Sequence, residues 1–135
     1  MVEEVIIRVI RIMVDSGSEY LPKDAQTKGI EVLPIVTNVD GIDYRDGVDL
    51  GRDEFYELLE ETGLFPTTSQ IPPFVFAEKF KAARDMGDEV IAIILSSELS
   101  GTYQNACTAQ AMVGSEGIYV IDSRTATYPI SIMAD

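Results

Sequence analysis

Histidine is absent from this sequence of 135 residues. That removes the commonest general base, and with it a Ser–His hydrolase and the ordinary zinc sites. Cysteine occurs once, at Cys107, so an internal disulfide framework is excluded. Cys107 falls beside Ala106 on a predicted helix face and reads as a small packing residue. Basic residues are scarce. Ten Lys and Arg stand against 23 Asp and Glu, for a net charge of −13 and a pI of about 4.2. Such a surface repels phosphate, which argues against a nucleic-acid partner and against adsorption to anionic membranes. Long hydrophobic runs are also missing, and none reaches the roughly 18 residues of a membrane span. Val5–Val14 is apolar but carries Arg8 and Arg11, and no small-residue cleavage site follows it, so no signal peptide is read. These features lead us to expect a cytoplasmic protein without a membrane span.

What is present suffices for one folded domain. The hydrophobic fraction is 46% and the mean hydropathy +0.10, and a chain of this length buries roughly 68% of its unfolded surface. The pattern alternates between strands and helices. Ile6–Val14 is rich in β-branched residues and ends at the turn Asp15-Ser16-Gly17-Ser18. Pro22–Lys28 reads as a short helix stopped by Gly29. Glu31–Asn38 reads as a second strand and Asp40–Asp49 as a surface hairpin. Asp53 and Glu54 open a helix whose apolar residues Phe55, Leu58 and Leu59 share one face, and Gly63 ends it. Leu64–Ile71 reads as a hydroxyl-rich loop, and Pro73 as the first turn of a helix with Phe76, Phe80 and Ala83 on one stripe. Glu89–Leu95 is apolar throughout, as expected of a strand buried on both faces. A polar turn, a helix through Tyr103, Ala106, Gln110 and Val113, and a last strand at Ile118–Ile121 follow. The expected fold is α/β, a three-layer sandwich with a mainly parallel sheet and helices on both faces.

In such sheets ligands bind at the carboxyl ends of the strands. Hydroxyl-rich loops fall at those ends, at Asp15–Ser18, Ser96–Gly101 and Asp122–Thr125. Two motifs draw attention. Pro66-Thr67-Thr68-Ser69-Gln70 offers three consecutive hydroxyls before a helix start, enough to donate to an anionic head group. Turn and capping roles are the plainer reading from spacing alone. Ser96-Ser97-Glu98-Leu99-Ser100-Gly101-Thr102 follows the buried strand and opens a helix. Ser100 is placed to cap that helix, and Gly101 lets the backbone approach a ligand closely. The motif is neither a Walker A loop nor a Gly-x-Ser-x-Gly elbow. Asp15, at a strand end, is open to two roles: binding magnesium or orienting a serine, and forming a turn or cap. Asp40, Asp43, Asp46 and Asp49 mimic part of a calcium loop, but the Gly and the closing Glu miss their offsets, so no metal site is expected.

These motifs, in this order and at this separation, resemble the DegV family. The resemblance runs from about Arg11 to Ser123. It rests on Ile12-Met13-Val14-Asp15-Ser16-Gly17-Ser18, on Glu31–Leu50 with its Val-Leu-Pro and Asp-Tyr-Arg-Asp-Gly-Val-Asp, and most specifically on Pro66–Gln70 and Ser96–Gln104. It implies the N-terminal α/β domain of a two-domain protein, spanning residues 1–135 here, with the C-terminal lid domain absent from this chain. It further implies a bound long-chain fatty acid as the ligand, with no cofactor and no catalytic residue. Carried over by residue, the carboxylate would meet Thr67 or Thr68 with Ser69, and Ser96 or Ser97 with Ser100 and Gly101. Asp15, Ser16 and Gln70 would stand behind them. The implied partner is the ATP-binding subunit of a fatty acid kinase, which performs the catalysis while this protein carries the substrate.

Several expectations follow. Thr67–Ser69 and Ser96–Ser97 should lie side by side at one edge of the sheet. Phe74, Phe76, Phe80 and Ile71 are candidates for the acyl tail, with a core role the plainer one for each. With one domain present, either binding is weak or a homodimer covers the exposed face. Two other functions compete: an interaction module with a vestigial pocket, and a phosphotransfer-type α/β enzyme domain, which would need a histidine or a nucleotide loop that this sequence lacks.

Overall fold

The computed structural model describes Val5 and residues 7–135. Strand β1 is Ile10–Asp15, followed by one 3-10 turn over Ser16–Ser18. Ile6, where the first strand is expected to begin, lies outside the described residues. Helix α1 is Pro22–Lys28, started by proline at its first turn and ended by Gly29 in the left-handed region. Then come β2 (Glu31–Leu33), β3 (Val36–Val39) and β4 (Ile42–Arg45). Helix α2 (Arg52–Thr62) precedes β5 (Thr67–Ser69) and α3 (Pro73–Asp85). The chain continues through β6 (Glu89–Ile94), α4 (Thr102–Val113), β7 (Ile118–Asp122) and α5 (Tyr128–Ala134).

Four strands form a parallel sheet in the order β2-β1-β6-β7. Side chains alternate across a strand, and here the alternation separates two cores. Met13, Ala92 and Ile94 face one side, where they pack with Phe76, Phe80 and Ala83 of α3 and Ala106 and Ala109 of α4. Val14 and Ile93 face the other, against Ala25 of α1 and Ile130 of α5. This is the expected three-layer α/β sandwich. Phe76 and Phe80 are fully buried, and burial of each such side chain contributes roughly 1.5–3 kcal/mol.

The structure differs from the sequence reading at three places. The run Glu31–Asn38 is two strands, not one. Pro34 supplies no N–H, and the Ile35 amide donates to Ser16 Oγ at 3.0 Å, so the chain leaves the parallel sheet there. Its continuation, β3, joins a second, antiparallel sheet in the order β4-β3-β5. The β3–β4 connection is the two-residue turn Asp40-Gly41, both at positive φ (54° and 76°), which matches the twist of a hairpin. Second, the Thr67–Ser69 stretch is an edge strand rather than a loop, with Thr68 opposite Thr37 and Ser69 opposite Val36. Third, Tyr128–Ala134, to which the sequence reading assigns no element, folds into α5, which covers one face of the sheet.

Candidate functional site

The site follows from the order of the strands. Helix α1 leaves β1 on one face, while α3 and α4 lie on the other, so β1 and β6 are neighbours whose connections diverge. A crevice opens at the carboxyl ends of such a pair. Here those ends are stitched together. Asp15, fully buried, accepts the Leu95 amide on Oδ2 at 2.6 Å and the Gly17 amide on Oδ1 at 2.8 Å. Burial pushes its carboxyl above the ordinary aspartate range, and the two amides oppose that rise. Asp15 therefore serves as a structural tie between two loops. The Thr127 amide donates to Gly17 O at 2.8 Å and the Ser96 amide to Thr125 O at 3.0 Å, so the loops after β1, β6 and β7 converge. Thr127 is held at a φ of 63°, a costly conformation for a β-branched residue.

Beside this junction lies an open cavity of about 880 Å³, within the roughly 300–1,000 Å³ common for small-molecule sites. Ser16, Gly17, Leu95, Ala126 and Thr127 form its inner end. Tyr20, Leu21 and Ala25, then Ile30 and Val32, line one wall, and Val48, Phe55 and Tyr56 line the other. Helix α2 explains itself here. None of its residues is buried, because Phe55 and Tyr56 face the cavity instead of a core. Arg52 at its start reaches Glu19 across 3.7 Å.

The two hydroxyl motifs meet at their ends. The Ile71 amide donates to Thr102 Oγ1 at 3.3 Å, and Asn105 Nδ2 donates to Ile71 O at 2.9 Å. The Gln70 side chain lies over Gly101 so closely that a methyl group there would collide with its amide oxygen. Among the described residues no hydrogen bond joins the hydroxyls of Thr67, Thr68 or Ser69 to Ser96 or Ser97. The three lie exposed on an edge strand, where alternation sends Thr68 to the face opposite Thr67 and Ser69. Ser96 is buried and its Oγ accepts the Glu98 amide at 3.3 Å. Ser97 is exposed and its hydroxyl donates to Asp122 Oδ2 at 2.6 Å. Ser100 caps α4 from one position further back than a regular cap, its Oγ accepting the Thr102 amide at 3.2 Å.

Of the residues expected to bind the ligand or stand behind it, Ser16 alone lines the cavity. Phe76, Phe80 and Ile71 are core residues and Phe74 is exposed. The aromatic lining from Tyr20 on one side and Phe55 and Tyr56 on the other escapes sequence reasoning, since these residues come from separate elements. Its one local signal is α2 itself, whose thin apolar stripe is too narrow for a core helix. The acids of the hairpin hold the loop together rather than a cation: Asp49 pairs with Arg45 through both carboxylate oxygens, and Asp43 accepts from Asn38. Among the described residues no three acidic or cysteine side chains converge as a metal site, and no helix is long and apolar enough to cross a membrane.

Comparison with known proteins places this architecture. A DegV domain-containing protein of Caldanaerobacter subterraneus subsp. tengcongensis is 50% identical over 116 residues, covering 85% of this chain and 41% of that protein. One from Clostridium acetobutylicum is 40% identical over 125 residues, covering 92% and 44%. The chain thus spans under half the length of these curated relatives. Among solved structures, a stearic-acid-binding protein of Eubacterium ventriosum superposes with a TM-score of 0.86 at 28% identity, over 93% of this chain and 45% of that one. DegV of Bacillus subtilis, described as a fatty acid binding protein, gives 0.85 at 30% identity, over 95% and 45%. The sequence profile of the uncharacterised DegV family matches residues 9–135, and this chain belongs to that family.

Proposed function

We propose that this chain holds a long-chain fatty acid, with the acyl tail in the 880 Å³ cavity and the carboxylate reaching beyond it to the hydroxyls of Ser96 or Ser97 after β6 and of the Thr67–Ser69 strand. The observation that carries this reading is the position of Leu95. It lines the cavity and is followed directly by Ser96 and Ser97 at the carboxyl end of β6, which sets two hydroxyls within two residues of the apolar wall. Each methylene buried in such a channel contributes about 0.8 kcal/mol. Neutral hydroxyls satisfy the carboxylate without a strong ion pair, which leaves an oxygen free for onward chemistry. The stearic acid named for the Eubacterium ventriosum protein and the fatty acid binding named for Bacillus subtilis DegV support the same ligand class. We further propose that the protein acts as a carrier, part of a two-domain assembly, that presents the acid to the ATP-binding subunit of a fatty acid kinase.

Mass spectrometry of lipid released from the purified, denatured protein tests the ligand class directly. A co-purified long-chain fatty acid, at less than one equivalent, is expected. The substitution Ala126→Phe, beside Leu95 at the head-group end of the cavity, should then weaken uptake of long and short acids alike. Release of no fatty acid from the wild type, with no uptake on titration, would overturn the reading.

A further inference from the structure

We propose that Asp122 is an internal competitor for the head-group corner, occupying the one hydroxyl proton of Ser97 that a bound carboxylate needs. The inference rests on the fatty-acid reading above and adds a specificity-determining residue to that site.

Asp122 closes β7 beside the end of β6. Its Oδ2 takes the Ser97 hydroxyl at 2.6 Å, and its Oδ1 takes the Ser97 amide at 3.2 Å and the Arg124 amide at 3.0 Å. Three donors therefore converge on one carboxylate, as they would on the head group of an acid. A serine hydroxyl has one proton to give. While that proton points at Asp122, Ser97 offers an approaching carboxylate only its lone pairs. The charge of Asp122 adds repulsion at short range. The Ser97 hydroxyl and the nearby Arg124 guanidinium hold the Asp122 carboxyl below the ordinary aspartate range, and the Tyr103 phenol on α4 is the other titratable group that feels it. Asp122 is thus charged whenever a fatty acid is.

The corner consequently separates ligands by head group. A carboxylate must displace Asp122 from Ser97. A fatty alcohol carries its own proton, donates to the Ser97 oxygen, and leaves Asp122 in place.

Calorimetric titration of the wild type, D122N and the D122N/S97A double variant with oleate and with oleyl alcohol tests this. In Asp122→Asn the charge is gone and the new amide donates to Ser97 Oγ, which turns the hydroxyl proton outward. D122N should tighten oleate roughly tenfold and leave oleyl alcohol unchanged, and adding S97A should cancel the gain. Asp122→Ala removes the competitor outright and should give the same direction if the asparagine variant misfolds. Wild-type uptake of oleate with no gain in either variant overturns the role of Asp122 alone, as does a gain that survives S97A. Failure of the wild type and every variant to take up oleate overturns the fatty-acid reading and this inference together.

Discussion

Asp15 and Leu95 stand 80 residues apart in the chain, and the Leu95 amide donates to Asp15 Oδ2 at 2.6 Å. This bond locks the carboxyl ends of the two central strands into one register and sets the inner end of the cavity. A buried acceptor shared by two amides is costly to remove, because both donors are then stranded away from water. Asp15→Ala should cost about 3 kcal/mol. A fall in the urea midpoint with an unchanged slope checks it. A variant as stable as the wild type would mean that water replaces the carboxylate there.

Aromatic residues of the core and of the cavity wall should separate cleanly. Phe80 is fully buried between α3 and the sheet, so Phe80→Ala should cost about 3–5 kcal/mol. Phe55 is half-buried on a cavity wall, so Phe55→Ala should cost under about 1 kcal/mol yet weaken fatty-acid binding several-fold. Denaturation and ligand titration of the same two proteins read both quantities. Equal loss of stability in the two would show that α2 belongs to the core.

The hairpin gives a prediction for acid. The side-chain hydrogen bonds from Arg45 hold the Asp49 carboxyl down at about 2, below the ordinary aspartate value of 3.8. A depressed carboxyl contributes its share of stability above the unfolded value and loses it as pH falls from about 4 towards 2. Arg45→Ala should return Asp49 to the ordinary aspartate range. Carbon-detected NMR titration of the side-chain carboxyl follows this directly, and a midpoint that stays low in the variant would assign the shift to the backbone amide of residue 45 instead.

The parts of the fold legible in the sequence are those fixed by local chemistry. Proline at the first turn and Gly29 past the last define α1 on their own. The doubly buried pattern of β6 announces a central strand. The split between β2 and β3 was hidden, because it depends on Ile35 finding Ser16, 19 residues away in sequence. The strand Thr67–Ser69 was hidden for the same reason. Three residues form a strand there only because β3 offers them an edge. At the candidate site, the Ser96–Gly101 motif could be read as a loop at a strand end, but its joining to the Thr67–Ser69 strand through Gln70, Ile71 and Asn105 could not, because it depends on where β5 pairs. The cavity could not, because no local pattern reveals a wall shared among α1, α2 and β2.

Helix α2 borders the cavity without contributing a buried residue to the core. On the α2 side, the residues that shape the cavity are therefore not those that keep the chain folded, whereas Ala25, Ile30, Val32 and Leu95 on the other side do both. Substitutions along α2 can lengthen, shorten or narrow that space while the sheet and its two cores stay intact. Related chains can therefore diverge along this one helix, with the shape of the cavity changing by small steps that folding does not penalise.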